Sequence, residues 1–326
     1  MTIRWGILGA AKFALNHMGP AIHAARGARL AALATTSADK AAGFRAFAPD
    51  LALHDSYDAL LADPGVDAVY IPLPNHLHLE WALKAIAAGK HVLCEKPMTL
   101  QAGDFDALIA ARDGAGLVVA EAYMIVHHPQ WQLVRDLIAQ GAIGRLDHVD
   151  TAFSFDNRDE PGNIRNRPET GGGGIRDIGV YTYGSVRFAT GAEPLALQAR
   201  LRRENGVDTW AQVTGEMAGP AGRFSYSAIT SMRLFPRQEV VFQGETGLIR
   251  LTAPFNAGLF GQAQVDLYRT GNRMERFCFP GVNQYVLQVE AFGRAIRDGA
   301  AYPCPLEFSR GTQAMIDQVF AVATEV

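Results

Sequence analysis

The sequence predicts an α/β protein in two parts: a doubly wound parallel sheet, then an α/β domain built on a large, mostly antiparallel open sheet. Three observations support this. The chain has 326 residues and is 48% hydrophobic, which is more than one core of ~250–300 residues accommodates. From residue 3 to about 122, short and continuously apolar runs alternate with amphipathic segments; a strand apolar on both faces is buried on both faces, as in a parallel sheet covered by helices. After about residue 145 the runs lengthen, alternate in polarity and are joined by Gly, Asn and Pro turns, as expected of strands with one covered face. The division is placed at 1–122 and 123–326.

In the first part "IRWGILG", "RLAALAT", "VDAVYIP", "HVLCE" and "LVVAEAY" read as strands, with helices between them. In the second, "RLDHVDTAFSF", "LALQARLRR", "TWAQVTGEM", "GRFSYSAIT", "EVVFQG" and "GLIRLT" read as strands of one sheet. A glycine run, Gly171 to Gly174, precedes a helix over 174–190, and another helix is expected near 283–298. No repeat or low-complexity tract interrupts the pattern.

Charge narrows the partner. Thirty basic and 33 acidic residues give a net charge of −3, and no run of five like charges offers a footprint for nucleic acid or an anionic membrane. A small molecule is expected instead. Cys94, Cys278 and Cys304 are odd in number and widely spaced, which fits a reducing compartment. No basic leader or apolar stretch of membrane-spanning length is present, so cytoplasmic residence is expected. His127 and His128 without further ligands make a poor metal site, and no metal is expected.

The first strand runs into Gly9-Ala10-Ala11-Lys12-Phe13-Ala14, a degenerate G-x-G-x-x-G with Gly9, Ala11 and Ala14 in the three places. Small residues let the backbone turn tightly and approach a pyrophosphate at the N-terminus of the following helix; tight strand–helix packing is the other reading. Gly9, Ala11, Lys12 and Phe13 are therefore cofactor-site candidates. The second strand should end at the adenosine ribose, and there the chain has Thr35-Thr36-Ser37-Ala38-Asp39-Lys40 with no acid at the strand end. An acid would accept from the 2′-hydroxyl of NAD and repel a 2′-phosphate, whereas Thr36, Ser37 and Lys40 suit that phosphate. NADP is favoured, with NAD the alternative; Ser37 as a helix cap and Lys40 as a solvated lysine are the plainer readings.

Four segments coincide in order: the Gly9 loop, "YIPLPNHLH" at 70–78, "AGKHVLCEKPM" at 88–98 and "GGGGIRDIGVY" at 171–181. Together they resemble the Gfo/Idh/MocA oxidoreductases, nearest in pattern to the branch of glucose-fructose oxidoreductases, NADP-linked D-xylose dehydrogenases and dimeric dihydrodiol dehydrogenases. The resemblance implies an N-terminal Rossmann domain and a second domain whose open sheet carries a homodimer or homotetramer interface. It also implies a sugar or cyclic polyol as substrate. The family's lysine maps onto Lys96, and its aspartate and histidine-or-tyrosine onto Asp177 and Tyr181. The loop "FSFDNRDEPGNIRNRPE" at 153–169 is similar to the sugar-dehydrogenase branch. The chain departs from that branch at Val126, where an Arg is usual, and at Arg176, where an apolar residue is usual.

Hydride transfer needs the carbon held at the nicotinamide and a group to take the hydroxyl proton. Asp177 and Tyr181 are four apart and share one face of a helix. A phenol near pKa ~10 is a weak base at neutral pH, but a nearby ammonium and an oxidised nicotinamide favour the phenolate. Tyr181 is thus assigned the proton, Lys96 the tuning and holding of the hydroxyl, and Asp177 the orientation of the substrate, with Lys96 as the alternative proton carrier. Pro72 stiffens the loop that ends the strand "VDAVYIP"; Asn75, His76 and Glu95 are expected at the cofactor, although Asn75 reads equally as a helix cap. Tyr123, Asp156, Asn163 and Arg165 are the candidate substrate contacts. An aldose 1-dehydrogenase is the activity implied, and a non-catalytic dinucleotide sensor the alternative; the presence of Lys96 and of the Asp177–Tyr181 pair favours the enzyme.

Overall fold

A computed structural model describes all residues from Met1 to Val326. They form two compact units, Met1–His127 with Asn283–Arg310, and His128–Val282 with Gly311–Val326. The linear division at 122/123 therefore needs correcting, because the first unit takes back a late segment. That segment contains the helix α8 (Gln284–Asp298), begun by Asn283, whose side chain accepts from the backbone N–H of Tyr285 and Val286. It packs on the first unit through Phe292, 5.2 Å from the ring of Trp5, and through Glu290, which accepts from the Arg26 guanidinium.

The first unit holds six parallel strands, β1 (Ile3–Leu8), β2 (Ala28–Ala34), β3 (Ala52–His54), β4 (Ala68–Ile71), β5 (His91–Cys94) and β6 (Val119–Glu121), in the order β3-β2-β1-β4-β5-β6. The order reverses between β1 and β4, the switch point at which such sheets bind ligands at their carboxyl edge. Four residues of β4 are wholly buried, as the apolar run requires. The flanking helices α1 (Gly19–Ala24), α2 (Ala38–Arg45), α3 (Tyr57–Ala62), α4 (His78–Ala87) and α5 (Phe105–Ala115) start at side-chain caps where Ser is available: Ser37 accepts from Lys40 N–H and Ser56 from Ala59 N–H. β3 escapes the sequence reading because it is three residues long and partly exposed at the sheet edge.

The second unit contains α6 (Pro129–Ala139), α7 (Val180–Thr190) and a nine-stranded sheet. Its strands are β7 (Leu146–Asp156), β8 (Glu193–Glu204), β9 (Val207–Gly219), β10 (Gly222–Ser231), β11 (Arg233–Gly244), β12 (Gly247–Leu251), β13 (Gln264–Arg269), β14 (Arg273–Cys278) and β15 (Ala323–Glu325). The order is β14-β13-β12-β11-β7-β10-β9-β8-β15, antiparallel except at β10/β7 and β15/β8. A last helix, α9, spans Leu306–Val322. The alternation in β10 sends Phe224, Tyr226 and Ala228 inward, with the Tyr226 hydroxyl donating to Thr182 O of α7 at 3.1 Å. The open face carries His148 against Ser225 and Asp150 against Ser227, with Glu239 held by Arg237 and Arg250 beside them. It is therefore a polar face.

Candidate active site

In the first unit, four strand ends position the candidate residues through the backbone. β1 delivers Gly9 at φ +93, and a Cβ there would meet the Tyr57 hydroxyl at 3.1 Å and Leu73 at 3.2 Å, so glycine is required at this turn. The following helix contains a five-residue π turn, Ala14–Met18, and Phe13 packs edge-on against Tyr285 at 5.6 Å. At the end of β2, Thr36 and Lys40 are exposed and Ser37 caps α2; the capping role of Ser37 is realised, and its hydroxyl proton is still available to a ligand. The donor set and the lack of an acid fit the 2′-phosphate of NADP, and the Gly9 turn fits a pyrophosphate.

β4 ends in Pro72, Leu73 and Pro74, and Asn75–Leu77 form a 3₁₀ turn with no side-chain cap. Asn75 is therefore not the cap of the helix that follows; Leu77 stands at that position. His76 is exposed. β5 continues through Glu95, whose N–H donates to Ile71 O at 3.0 Å, into Lys96 and the cis bond to Pro97. The Glu95 carboxylate accepts from the Tyr70 hydroxyl at 2.6 Å. Burial raises its pKa, against the pull of Tyr70 and of the Lys96 charge. Tyr123 is buried beside Phe308, and Val126 is buried as well.

In the second unit the candidates converge through side chains. Residues 175–179 form a π turn leading directly into α7, a distortion frequent at functional sites. Asp177 lies in that turn, 8% exposed, and the Arg165 guanidinium reaches it at 2.5 Å. Tyr181 follows one turn later, 5% exposed, with its ring 5.7 Å from those of Phe153 and Phe255. Asp177, then the loss of water, set the Arg165 pKa, which is raised overall, and Tyr181 adds to the rise. The coupling is mutual, so the guanidinium favours a phenolate at Tyr181. Arg165 is thus ion-paired with Asp177 and interacts electrostatically with Tyr181.

Two other loop candidates are occupied locally. Asp156 is bound by Arg158 at 3.0 Å, and Asn163 donates to Glu160 while accepting from Arg165 N–H. Arg176 lies over the Phe320 ring at 5.3 Å, which explains a cation where an apolar side chain is usual. Residues 157–166 are pinned by Arg233, which donates to Asn157 and Asn166.

Sequence reasoning missed two buried titratable residues. The carboxylate that satisfies the helix start before α7 is Asp208, which accepts from Ile175 N–H at 2.7 Å and lies 33 residues later. Burial pushes the Asp208 carboxyl up to about 7. A Cβ on Gly173, at φ +112, would overlap Asp208 Oδ1; this one glycine of the run makes room for the acid. The other is His78, fully buried and signalled only as a histidine on the apolar face of α4. No cluster of three or more potential metal ligands is present, and no helix is long and apolar enough to cross a membrane.

Comparison with known proteins identifies the family. Residues 3–123 match the family described as "Oxidoreductase family, NAD-binding Rossmann fold", and residues 131–250 match the GFO/IDH/MocA C-terminal domain. An uncharacterised oxidoreductase of Rhizobium meliloti is 36% identical over 97% of this chain and 96% of its own. A dTDP-3,4-didehydro-2,6-dideoxy-α-D-glucose 3-reductase of Actinomadura kijaniata is 32% identical over 99% and 95%, and a D-xylose 1-dehydrogenase (NADP⁺) of Haloferax volcanii is 32% identical over 98% and 97%. The crystal structure of a 3-ketoreductase from Actinomadura kijaniata with NADP and TDP-benzene superposes with a TM-score of 0.88 at 28% identity, covering 100% of this chain and 99% of that one. Structures of that enzyme also exist with a lysine changed to Ala or Glu and with a tyrosine changed to Phe. This chain belongs to the Gfo/Idh/MocA family and is an NAD(P)-dependent oxidoreductase.

Proposed function

We propose that the enzyme transfers a hydride between NADP and a carbon-bound hydroxyl of a sugar or related cyclic polyol, with Tyr181 moving the hydroxyl proton. The observation that carries this reading is the Arg165–Asp177 ion pair at 2.5 Å, one helical turn before Tyr181. It supplies a fixed cation to lower the cost of the phenolate and a carboxylate to orient a substrate hydroxyl. NADP accepts or gives the hydride at its nicotinamide; the chain's own work is to bind, orient and move one proton. Lys96 is assigned to the reacting hydroxyl and is the alternative proton carrier. Lysine and tyrosine are also the residue types replaced in the related ketoreductase.

Preference for NADP is supported by Thr36, Ser37 and Lys40 and by the absence of an acid at the end of β2. Two carbon centres compete. Oxidation at C1 of an aldose is supported by the likeness to the D-xylose 1-dehydrogenase, and reduction of a 3-keto group on a nucleotide-linked sugar by the equal likeness to the 3-reductase. Nicotinamide absorbance decides between them. It rises when NADP is mixed with an aldose panel under the first reading, and falls when NADPH is mixed with a nucleotide-linked 3-keto sugar under the second. Binding of NADP with turnover on neither class would refute both. We further assign the open polar face of the nine-stranded sheet to a second copy of the chain, giving a homodimer or homotetramer; sedimentation as a monomer would refute that.

A further inference from the structure

His78 sits on the buried face of α4 and shares its ring between two backbone carbonyls. Nδ1 is 2.8 Å from Pro97 O and Nε2 is 2.7 Å from Leu73 O. Those carbonyls belong to the two loops assigned to the cofactor, the one after β4 and the turn that carries Lys96. A neutral imidazole has one N–H and one lone pair, and a carbonyl oxygen only accepts. A neutral ring would therefore set a lone pair against a carbonyl lone pair at one of the two contacts. Only the doubly protonated ring donates to both at such lengths, and charged donors make the shorter and stronger hydrogen bonds.

The opposing influences are also identifiable. Burial, with the charges of Lys96 and His76, outweighs the pull of the Pro97 and Leu73 carbonyls and leaves the ring lowered to about 4, whereas the two acceptor contacts argue for the charged ring. With both nitrogens in contact with acceptors, a neutral ring must surrender one loop.

We infer that His78 is a positioning residue, held as an imidazolium by the carbonyls of Leu73 and Pro97, which ties the loop after β4 to the Lys96–Pro97 turn so that both present to the cofactor as one piece. The part that concerns the cofactor rests on the reading of these loops given above; the protonation of the ring does not. Because the tie exists only in the charged form, cofactor binding weakens as pH rises through the pKa of this ring.

Nuclear magnetic resonance of the full-length, NADP-loaded protein labelled with ¹⁵N at histidine tests this, with the His78 signal assigned by its loss in His78→Gln. The expected result at pH 7 is a directly bonded proton on each ring nitrogen of His78. A single-proton tautomer at that pH overturns the inference, and this measurement needs no substrate. Calorimetric titration of NADP into His78→Gln, which keeps one donor, should show a Kd raised roughly tenfold, and into His78→Leu a larger rise. Wild-type NADP affinity in both variants would overturn the positioning role, whatever the substrate proves to be.

Discussion

The two units place their candidate residues by different means. In the first, Gly9, Thr36, Glu95 and Lys96 follow directly from strands β1, β2 and β5, so the backbone of a parallel sheet alone brings them to one edge. In the second, Asp177 and Tyr181 stand on a helix whose start is fixed by Asp208, and their charge environment is completed by Arg165 from a loop pinned by Arg233. Apart from the His78 tie, the first arrangement should tolerate loss of individual side chains. The second should fail when a single distant contact is removed.

The largest effect should come from Gly173→Ala, which places a methyl group on Asp208 Oδ1 at a positive φ. We expect a loss of about 3 kcal/mol in thermal unfolding together with loss of turnover; an unaffected enzyme would show that the helix start does not depend on this contact. Asp208→Asn sharpens the same point through pH. The folded-state pKa of Asp208 is raised to about 7, above its unfolded value. Its protonated form therefore contributes stability in full below about pH 4, and this is lost as pH rises through 7, an effect of up to about 4 kcal/mol. Asparagine should flatten this slope, seen as a smaller fall in Tm between pH 4 and 7 than in the wild type.

Arg165→Met should cost roughly 10- to 100-fold in kcat/KM and move the basic limb of the pH–rate profile upward, since the phenolate loses its cation. Arg165→Lys keeps the charge and should recover part of the rate. The smallest effect belongs to the first unit: Lys40→Ala should raise the KM for NADP about three- to tenfold and leave that for NAD unchanged. An equal change for both cofactors would remove Lys40 from the 2′-phosphate site.

This contrast also explains what was legible in the sequence. Continuous apolar runs fixed five of the six strands of the parallel sheet, and the short loops after them carried their residues along. Asp208 and His78 were not legible, because the partners of Asp208 lie 33 residues away and those of His78 are carbonyls, which every residue has. Arg165 was read from the sequence as a substrate contact; its partner Asp177, twelve residues later, lies in a π turn that no local pattern announces. The late segment 283–310 joined the first unit through α8 packing on Trp5 and Arg26, contacts no local pattern announces.

The central claim is that Tyr181 moves the proton. Single-turnover rates of reduced-nicotinamide formation across pH 5 to 10, for the wild type, Tyr181→Phe and Lys96→Met with a turned-over substrate from the panel, test it most directly. The account predicts that Tyr181→Phe loses roughly 100-fold or more in rate and the pH dependence of the basic limb, with NADP affinity intact. Wild-type rates for Tyr181→Phe at every pH, with activity abolished in Lys96→Met, would contradict it and give the proton to the lysine.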